Sequence, residues 1–342
     1  MRPRIGFLGT GWIGRHRMQA MLDTGLVEAA ALVDPSEECV AEARRIAPEA
    51  KVLPSFEAML ESDLDAVAIA TPSALHAEQA VAALERGMAV FCQKPLGRNL
   101  AEAKGAIEAA RQADRLLAVD LSYRRSAFAQ AMVQRIRSGT LGHIFAADLH
   151  FHNAYGPDKP WFYDAELSGG GCLIDLGVHL IDLALWGLDW PEIETVSGRL
   201  FSKGQPLANS GTAVEDYALA RIDVAGGRTI TITCSWHLHA GQDASIGGAF
   251  HGTDGGTAFR NVDGSFYDFK AQAQAGTSRE ILCDPPDDWG RREAAHFAES
   301  LVKGARFDPE WERHLQVFHV IDRIYRGERQ ARTDECGASA GA

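Results

Sequence analysis

The sequence predicts an α/β protein that begins with a doubly wound parallel sheet. Two observations support this prediction. Short apolar strands alternate with helical segments from Arg4 to Leu121, which is the pattern of a parallel sheet. The strands are also apolar along nearly their whole length, as in Asp65–Ala70 (DAVAIA). Such strands are expected where helices cover both faces of a sheet.

Turn and capping residues bound the elements of this half. Ser36 and Ser55 stand where a hydroxyl can accept a hydrogen bond from a first helical turn, and Gly87 stands where glycine ends a helix. The predicted strands are Arg4–Leu8, Val27–Val33, Lys51–Leu53, Asp65–Ala70, Met88–Cys92 and Leu116–Leu121, and the intervening helices end near Asp23, Ile46, Gly87 and Ala113.

The second half has a different pattern. Strand-like runs separated by glycine-rich turns, such as Tyr217–Val224 and Thr229–Ser235, indicate antiparallel strands. The other predicted elements are helices at Phe128–Ser138, Cys172–Leu188, Arg291–Lys303 and Trp311–Tyr325 and a strand at Ile144–Phe151. We therefore expect a first domain at 1–121, a second at 122–332, and a tail at 333–342 that is expected to be disordered.

The composition excludes several classes of protein. The net charge is −12 and no Lys/Arg-rich run occurs, which argues against nucleic acid as a partner. The six cysteines are scattered without a C-x-x-C pair, so neither a zinc site nor a disulfide framework is expected. Reduced thiols, no signal peptide and no apolar run judged long enough to cross a bilayer predict a cytoplasmic protein without a membrane partner.

A glycine-rich turn follows the first strand directly. It reads Gly9-Thr10-Gly11-Trp12-Ile13-Gly14. Gly9 permits a tight turn, Gly11 lets a pyrophosphate approach the backbone, and Gly14 lets the following helix pack against the strand. Because the turn lies between a strand and a helix, it predicts a dinucleotide site of the Rossmann type.

Asp34 ends the second strand, 20 residues after Gly14. A carboxylate at this position accepts hydrogen bonds from ribose hydroxyls and repels a 2′-phosphate. Pro35 and Ser36 follow without an adjacent arginine. The predicted cofactor is therefore NAD rather than NADP, although Asp34 could also serve only as a helix cap.

Two segments contain candidate catalytic residues. Lys94 follows the strand Met88–Cys92, at the carboxyl edge where open α/β sheets bind ligands. The apolar helix Cys172–Leu188 contains Asp175, His179 and Asp182 at spacings of four and three, which place them on one face. Because buried charges are costly, this face predicts a substrate pocket, with a paired core histidine as the alternative.

The glycine triplet Gly169–Gly171 is expected to give a ligand close access to the start of this helix. A polar-aromatic cluster earlier in the chain contains residues suited to binding a sugar, although they could equally be surface-loop residues. The additional substrate candidates are Tyr123, His152 and Tyr155, together with the neighbouring His150, Asn153, Trp161, Tyr163, Arg124, Arg125, His237 and His239.

These motifs together resemble the glucose–fructose oxidoreductase / inositol dehydrogenase (Gfo/Idh/MocA) family. The matching segments run in the family's order and are GFLGTGWIG, ATPSALH, QKPLG, SGTLGHI, GGGCLIDLGVHLIDLALW and VEDYALARI. The resemblance implies an amino-terminal Rossmann domain and a carboxy-terminal α/β domain with a large open, mostly antiparallel sheet. That sheet often packs against a partner subunit, which implies a homo-oligomer, a dimer or tetramer.

The resemblance also implies residue roles. Lys94, Asp175 and His179 match the catalytic residues. The positions implied to border the cofactor are Thr71, Pro72, His76, Gln93, Lys94 and Trp161. Two departures occur: Gln93 replaces the family's glutamate before the lysine, and Trp161 is followed by Phe162 instead of arginine.

The leading hypothesis is an NAD-dependent dehydrogenase that acts on a sugar, a sugar derivative or a cyclic polyol. His179 would transfer the hydroxyl proton, Lys94 would stabilise charge on the substrate oxygen, and Asp175 would position the site. One alternative is an NAD-dependent glycoside hydrolase with a transient keto sugar. The other is a non-catalytic NAD-binding regulator, which would have no need of buried acid–base groups.

Overall fold

A computed structural model describes residues 1–207 and 213–338. The chain forms two compact units. The first combines Met1–Ser122 with Gly290–Arg313, and the second contains Tyr123–Trp289 and the chain from His314 onward.

The first unit contains a six-stranded parallel sheet. Its strands lie in the order β3-β2-β1-β4-β5-β6, the arrangement of a doubly wound dinucleotide-binding fold. Its elements are β1 (Arg4–Leu8), α1 (Trp12–Asp23), β2 (Glu28–Val33), α2 (Glu37–Ile46), β3 (Lys51–Val52), α3 (Phe56–Leu60), β4 (Ala66–Ile69), α4 (Ser73–Glu85), β5 (Ala89–Cys92), α5 (Leu100–Ala113) and β6 (Leu117–Val119).

A late segment of the chain completes the core of this unit. The ring of Phe297 lies 5.6 Å from that of Phe91 in β5, and both side chains are buried. The domain division expected from the sequence placed Phe297 in the second domain. Sequence patterns are local, so they do not reveal that the helix containing Phe297 packs into the core of the first unit.

The second unit contains a nine-stranded sheet in the order β15-β14-β13-β12-β7-β11-β10-β8-β9. All neighbours are antiparallel except β7 and β11. Its elements are α6 (Ala127–Arg137), β7 (Ile144–Asn153), α7 (Ala165–Ser168), α8 (Val178–Gly187), β8 (Ile193–Ser202), β9 (Gln205–Pro206), β10 (Tyr217–Val224), β11 (Arg228–Ser235), β12 (Ala244–Gly252), β13 (Gly256–Asn261), β14 (Phe269–Ala275) and β15 (Ser278–Cys283), while α9 (Arg292–Val302) belongs to the first unit.

The two sheets confirm the predicted fold class. The last helix, α10 (Glu310–Ala338), includes part of the tail expected to be disordered. Residues 339–342 of that tail lie outside the described residues.

The nine-stranded sheet has two distinct faces. Successive side chains of a strand point to opposite faces, and Leu149 and Phe151 of β7 are buried in the core with residues of α8. We call this the inner face. His150 and His152 alternate with them on the opposite side, which we call the outer face, together with Thr233 of β11.

The segment Ala165–Gly187 has the length and apolar composition of a membrane span, contrary to the sequence-based judgement that no run is long enough. However, 78% of its most apolar window is buried inside the protein. Its apolar side chains are therefore accounted for by the core beneath the inner face.

Candidate active site

The three glycines of the turn after β1 are constrained differently. Gly9 has a φ of +83°, and a Cβ there would lie 2.5 Å from the carbonyl oxygen of Ala70. A Cβ on Gly14 would lie 2.1 Å from the carbonyl oxygen of Gly9. A Cβ on Gly11 would meet no protein atom within 4 Å. The fold itself therefore requires Gly9 and Gly14, whereas glycine at 11 fits close approach of a ligand to the backbone.

Asp34 is tied to this turn. Its Oδ2 accepts hydrogen bonds from the N–H and hydroxyl of Thr10, at 2.6 and 3.3 Å, and its Oδ1 accepts one from the N–H of Ser36 at 2.9 Å. Arg15 donates to the carbonyl oxygen of Thr10 at 2.7 Å. The carboxylate is thus fixed beside the glycine turn, as a ribose-binding acid requires.

The side chains of the turn differ in exposure. Thr10 is buried, Ile13 is half-buried, and Trp12 is exposed and stacks on His16 with ring centroids 5.6 Å apart. Helix α1 begins at Trp12 and has no side-chain cap, so the N–H groups of its first turn are available to an anionic group.

The structure changes the role predicted for His76. Its Nδ1 lies 2.7 Å from the carbonyl oxygen of Pro95 and its Nε2 2.7 Å from that of Thr71. Burial lowers the pKa of His76, while the two carbonyl oxygens act in the opposite direction. With both nitrogens occupied and 1% of its surface exposed, His76 links the loops after β4 and β5 and presents no polar atom to a cofactor.

The neighbouring positions differ in accessibility. The hydroxyl of Thr71 donates to Gln79 at 2.7 Å, and Thr71 and Pro72 are half-buried. Gln93 is buried, and its amide donates to Asp120 at 2.5 Å, so its side chain faces the protein instead of the predicted cofactor surface. Lys94 is half-buried.

The apolar helix of the second unit begins with a π-helical turn. This turn spans Leu173–Gly177, and α8 continues from it. Single π-helical turns are frequent at functional sites. Between residues 171 and 188, Asp175 and His179 are half-buried and every other residue is buried. These two predicted catalytic residues are therefore the ones that this segment leaves open to a ligand.

Aromatic residues support this pair. The indole N–H of Trp236 donates to Oδ2 of Asp175 at 3.2 Å. The ring of His179 lies 5.2 Å from that of Tyr123. Tyr123 is 6% exposed, so its ring serves as packing support for His179, and its contact with substrate stays a prediction. Trp236 was not identified from the sequence because its strand-end position has no distinctive local pattern.

An exposed aromatic group continues from Trp236. Tyr163 is 43% exposed, packs edge-on against Trp236 and donates to the carbonyl oxygen of Pro157 at 3.0 Å. Burial raises the pKa of Tyr163, and the carboxylate of Asp175 adds to the increase. Tyr163 therefore belongs to the electrostatic surroundings of Asp175.

Two other predicted contacts lie in this part of the chain. Tyr155 is exposed and contacts Phe266. Trp161 is half-buried and stacks on Phe162 with centroids 3.8 Å apart. The aromatic residue that follows Trp161 thus serves as a stacking partner.

A buried carboxylate fixes the start of the π-helical turn. Oε1 of Glu215 accepts hydrogen bonds from the N–H groups of Gly171 and Leu173 and from the hydroxyl of Tyr325, each at 2.9 Å. Glu215 is 1% exposed. Burial raises its pKa, and the hydrogen bonds oppose the increase. Glu215 therefore holds the segment that leads into Asp175.

The same contacts correct the role predicted for the glycine triplet. A Cβ on Gly171 would lie 1.9 Å from the carbonyl oxygen of Glu215, and one on Gly170 would lie 2.0 Å from the hydroxyl of Tyr325. Gly170 and Gly171 are thus required by close packing of the protein against itself, and ligand access is not needed to explain them.

Asp182 does not belong to the accessible face. Arg124 donates to both of its carboxylate oxygens, at 2.8 and 2.6 Å, and Nδ1 of His314 lies 3.1 Å from Oδ1. Burial alone would raise the pKa of Asp182, but the guanidinium of Arg124 and the hydrogen bond from His314 hold it well below its usual range. The three polar residues predicted to share one face therefore have different surroundings. Asp182 is buried and bound by partners from distant segments, whereas Asp175 and His179 stay half-buried.

His152 lies on the outer face of the sheet, opposite the face that carries α8. Its nitrogens lie 2.8 Å from the hydroxyl of Ser235 and 3.2 Å from that of Thr233. Burial, with a smaller contribution from His150, lowers its pKa to about 4. The predicted contact of His152 with substrate stays a prediction, and the structure places this side chain on the face opposite α8, because alternate residues of β7 face opposite sides of the sheet.

The comparisons with known proteins agree with this fold. Residues 3–121 match the family model described as "Oxidoreductase family, NAD-binding Rossmann fold". Residues 129–258 match the GFO/IDH/MocA C-terminal domain. The two units thus define a nicotinamide-dependent oxidoreductase. The chain belongs to the GFO/IDH/MocA family, which confirms the resemblance and the prediction that the protein is an enzyme.

Individual relatives are distant. Levoglucosan dehydrogenase of Pseudarthrobacter phenanthrenivorans is 28% identical, with 94% of each chain covered. D-Glucoside 3-dehydrogenase of Escherichia coli is 28% identical, but the match covers 56% of this chain and 58% of the relative.

Two solved structures share the fold at 22% identity. A levoglucosan dehydrogenase in complex with NADH and levoglucosan has a TM-score of 0.81. A 3-ketoreductase from Actinomadura kijaniata in complex with NADP has a TM-score of 0.82. Each match covers 96% of this chain and 98% of the other. The two complexes hold different nicotinamide cofactors, so the shared fold does not select between NAD and NADP.

The glycine turn permits a paired test. We expect Gly14→Ala to destabilise the first unit by about 2 kcal/mol or more, because the new Cβ would overlap the backbone of Gly9. We expect Gly11→Ala to retain wild-type stability but to weaken NADH binding by about tenfold or more, because a methyl group would obstruct the pyrophosphate. Urea unfolding and NADH fluorescence titration measure the two effects. Undiminished NADH binding by Gly11→Ala would contradict the assigned role.

The contacts of Glu215 also permit a test. Glu215→Ala leaves three buried donors without their acceptor, so we expect a loss of about 2 to 4 kcal/mol in the free energy of unfolding. Glu215→Gln retains Oε1, so we expect it to lower the free energy of unfolding by less than half as much. Glu194→Ala, an exposed change on β8, is the control. Equal losses for Glu215→Ala and Glu194→Ala would contradict the anchoring role.

Proposed function

We propose that the protein is an NAD-dependent dehydrogenase that acts on the CH–OH group of a sugar, a sugar derivative or a cyclic polyol. The observation that carries the proposal is the pair Asp175 and His179, half-buried in a segment whose other side chains are buried. Full burial of two ionisable groups in this apolar helix would be costly, whereas partial accessibility lets Asp175 and His179 meet a polar ligand. The names of the relatives, levoglucosan dehydrogenase among them, supply the substrate class.

His179 is proposed as the group that takes or returns the hydroxyl proton, because an imidazole titrates near neutral pH. Its ring is held against Tyr123, which limits its motion. Asp175, held by the indole of Trp236, is proposed to position the substrate hydroxyl beside His179. Lys94 is proposed to stabilise negative charge on the same oxygen through its ammonium group.

The cofactor would be held by the first unit. The N–H groups at the start of α1 would receive the pyrophosphate, and Asp34 would receive the adenosine ribose hydroxyls. When bound, the nicotinamide ring accepts or donates a hydride at C4. The space above Gly11 and the fixed carboxylate of Asp34 are the observations that fit these groups.

The two alternatives are not favoured. The relatives compared above are named dehydrogenases and a reductase, which supports net redox chemistry over glycoside hydrolysis. A non-catalytic regulator would not require Asp175 and His179 to be accessible in an apolar helix.

The central prediction concerns Lys94 and His179. We expect Lys94→Ala and His179→Ala each to lower kcat by about a hundredfold or more, because each removes a group that acts on the transferred proton or the substrate oxygen. The measurement is NADH formation at 340 nm with sugars, inositols and sugar acids first identified by thermal-shift screening with NAD. Lys104→Ala and His143→Ala change exposed residues of the same types and should match the wild type.

The outcomes separate the hypotheses. Near wild-type turnover in both Lys94→Ala and His179→Ala would rule out the proposed mechanism. Released sugar without net NADH would support the hydrolase. NAD binding without turnover of any sugar would support the regulator.

The preference for NAD is proposed from Asp34. We expect the wild type to bind NADH at least about tenfold more tightly than NADPH, because the carboxylate repels a 2′-phosphate. Asp34→Asn removes the charge at constant size and should reduce this preference to about threefold or less. Fluorescence titration with both cofactors tests this. Tighter binding of NADPH by the wild type would contradict the proposal.

We also propose a cytoplasmic homo-oligomer that assembles through the outer face of the large sheet. That face presents Leu219, which is 40% exposed, beside polar residues such as Arg221. Leu219→Glu is expected to dissociate the oligomer in light scattering at micromolar concentration, because burying a new carboxylate in the interface carries a desolvation cost. Leu167→Glu, at a similarly exposed leucine off the sheet, is the control. A monomeric wild type would contradict the proposal.

A further inference from the structure

A buried polar cluster lies next to Lys94 and is not part of the mechanism above. It consists of Arg17 in α1, Gln93 directly after β5 and Asp120 directly after β6. Oδ2 of Asp120 accepts a hydrogen bond from Nε of Arg17 at 2.6 Å and one from the amide of Gln93 at 2.5 Å. The three residues are 8%, 7% and 2% exposed, respectively. All three side chains thus belong to the interior of the first unit.

The cluster connects the helix that follows the glycine turn to the loop that carries Lys94. Arg17 lies three residues after Gly14 in α1. Gln93 precedes Lys94, and its backbone N–H continues the sheet by donating to Ile69. Because Asp120 receives both donors on one oxygen, it fixes the start of the Lys94 loop relative to α1.

The other side of Lys94 is fixed as well. The carbonyl oxygen of Pro95 lies 2.7 Å from the buried ring of His76. Lys94 thus stands between two residues that buried side chains hold in place, while its own side chain is half-buried. This arrangement limits the motion of the Lys94 backbone and leaves the side chain as the part that can reach a substrate.

The charges in the cluster explain why residue 93 is an amide. Arg17 and Asp120 form a cation–carboxylate pair, and Gln93 adds a neutral donor. A glutamate at 93 would bring a second carboxylate to about 2.5 Å from Asp120, and two carboxylates at that distance cannot both remain ionised. Oδ1 of Asp120 is buried and has no hydrogen-bond partner among the described residues. A buried carboxylate oxygen without a hydrogen-bond partner lowers the free energy of unfolding. Its presence here therefore indicates that Asp120 has a role beyond folding.

We propose that Asp120 is the positioning residue for Lys94, which it holds in place through Gln93 and Arg17, and that glutamine stands at 93 because Asp120 already supplies the carboxylate of this cluster. The proposal rests on the proposed role of Lys94. It identifies Asp120 and Arg17 as residues that act through Lys94 without contacting the substrate.

A charge exchange tests the proposal. We expect Gln93→Glu to lower kcat by about tenfold or more, because small displacements of a positioned group reduce turnover strongly. The Kd for NADH, measured by fluorescence, should stay within about threefold of the wild type. The double variant Gln93→Glu/Asp120→Asn again contains one carboxylate and one amide, and it should recover at least half of the loss in log kcat. Asp65→Asn changes a carboxylate at the opposite edge of the same sheet and should not affect kcat.

Several outcomes would overturn the proposal. Wild-type kcat in Gln93→Glu would do so, as would a fall in thermal stability without a fall in kcat. A further loss of kcat in the double variant would show that the two positions act independently. If Asp120→Asn prevents folding, Gln93→Glu alone decides, because it leaves residues 17 and 120 themselves unchanged. Wild-type turnover by Lys94→Ala would instead refute the proposed function, so the two failures are distinguishable.

Discussion

The candidate site in the second unit depends on the buried carboxylate of Glu215. Its Oε1 accepts hydrogen bonds from the N–H groups of Gly171 and Leu173 and from the hydroxyl of Tyr325. A carboxylate without partners at this depth would be strongly unfavourable, but hydrogen bonds to a charged acceptor are stronger than neutral ones. The contacts fix the backbone that leads into the π-helical turn. The π-helical turn contains Asp175 and sets the direction of its side chain. The position of this candidate catalytic residue therefore depends on the burial of Glu215, 40 positions later in the chain.

The interior polar groups of the protein fall into two classes. Asp182 is fully satisfied by Arg124 and His314 and holds segments together without facing a ligand. Asp175 and His179 come from the same apolar segment but keep part of their surface open. The distinction is physical: a saturated carboxylate has no remaining capacity to bind a substrate, whereas a partly exposed one retains it.

Much of the fold and part of the site followed from sequence patterns. The doubly wound sheet, the glycine turn and its link to Asp34 depend on local spacing, because consecutive residues place a strand, a turn and a helix in fixed order. The partners of other site residues did not follow from sequence patterns. His76, predicted to border the cofactor, bridges two loops, and His152, predicted to contact substrate, lies on the outer face. No local signal distinguishes these arrangements, since the partners of His76 lie 5 and 19 positions away.

By itself, the sequence determined the fold class and the family, and it placed Asp175, His179 and Asp182 on one polar face of the apolar helix. Periodicity and short motifs determine these features, because they depend on backbone geometry within one or two turns. The tertiary structure alone decided which polar residues are satisfied internally. It placed Asp182 with Arg124, Gln93 with Asp120, and Gly170 and Gly171 against Tyr325 and Glu215. The free energy of a buried polar group depends on partners that the chain brings from far along its length, and a linear pattern does not record them.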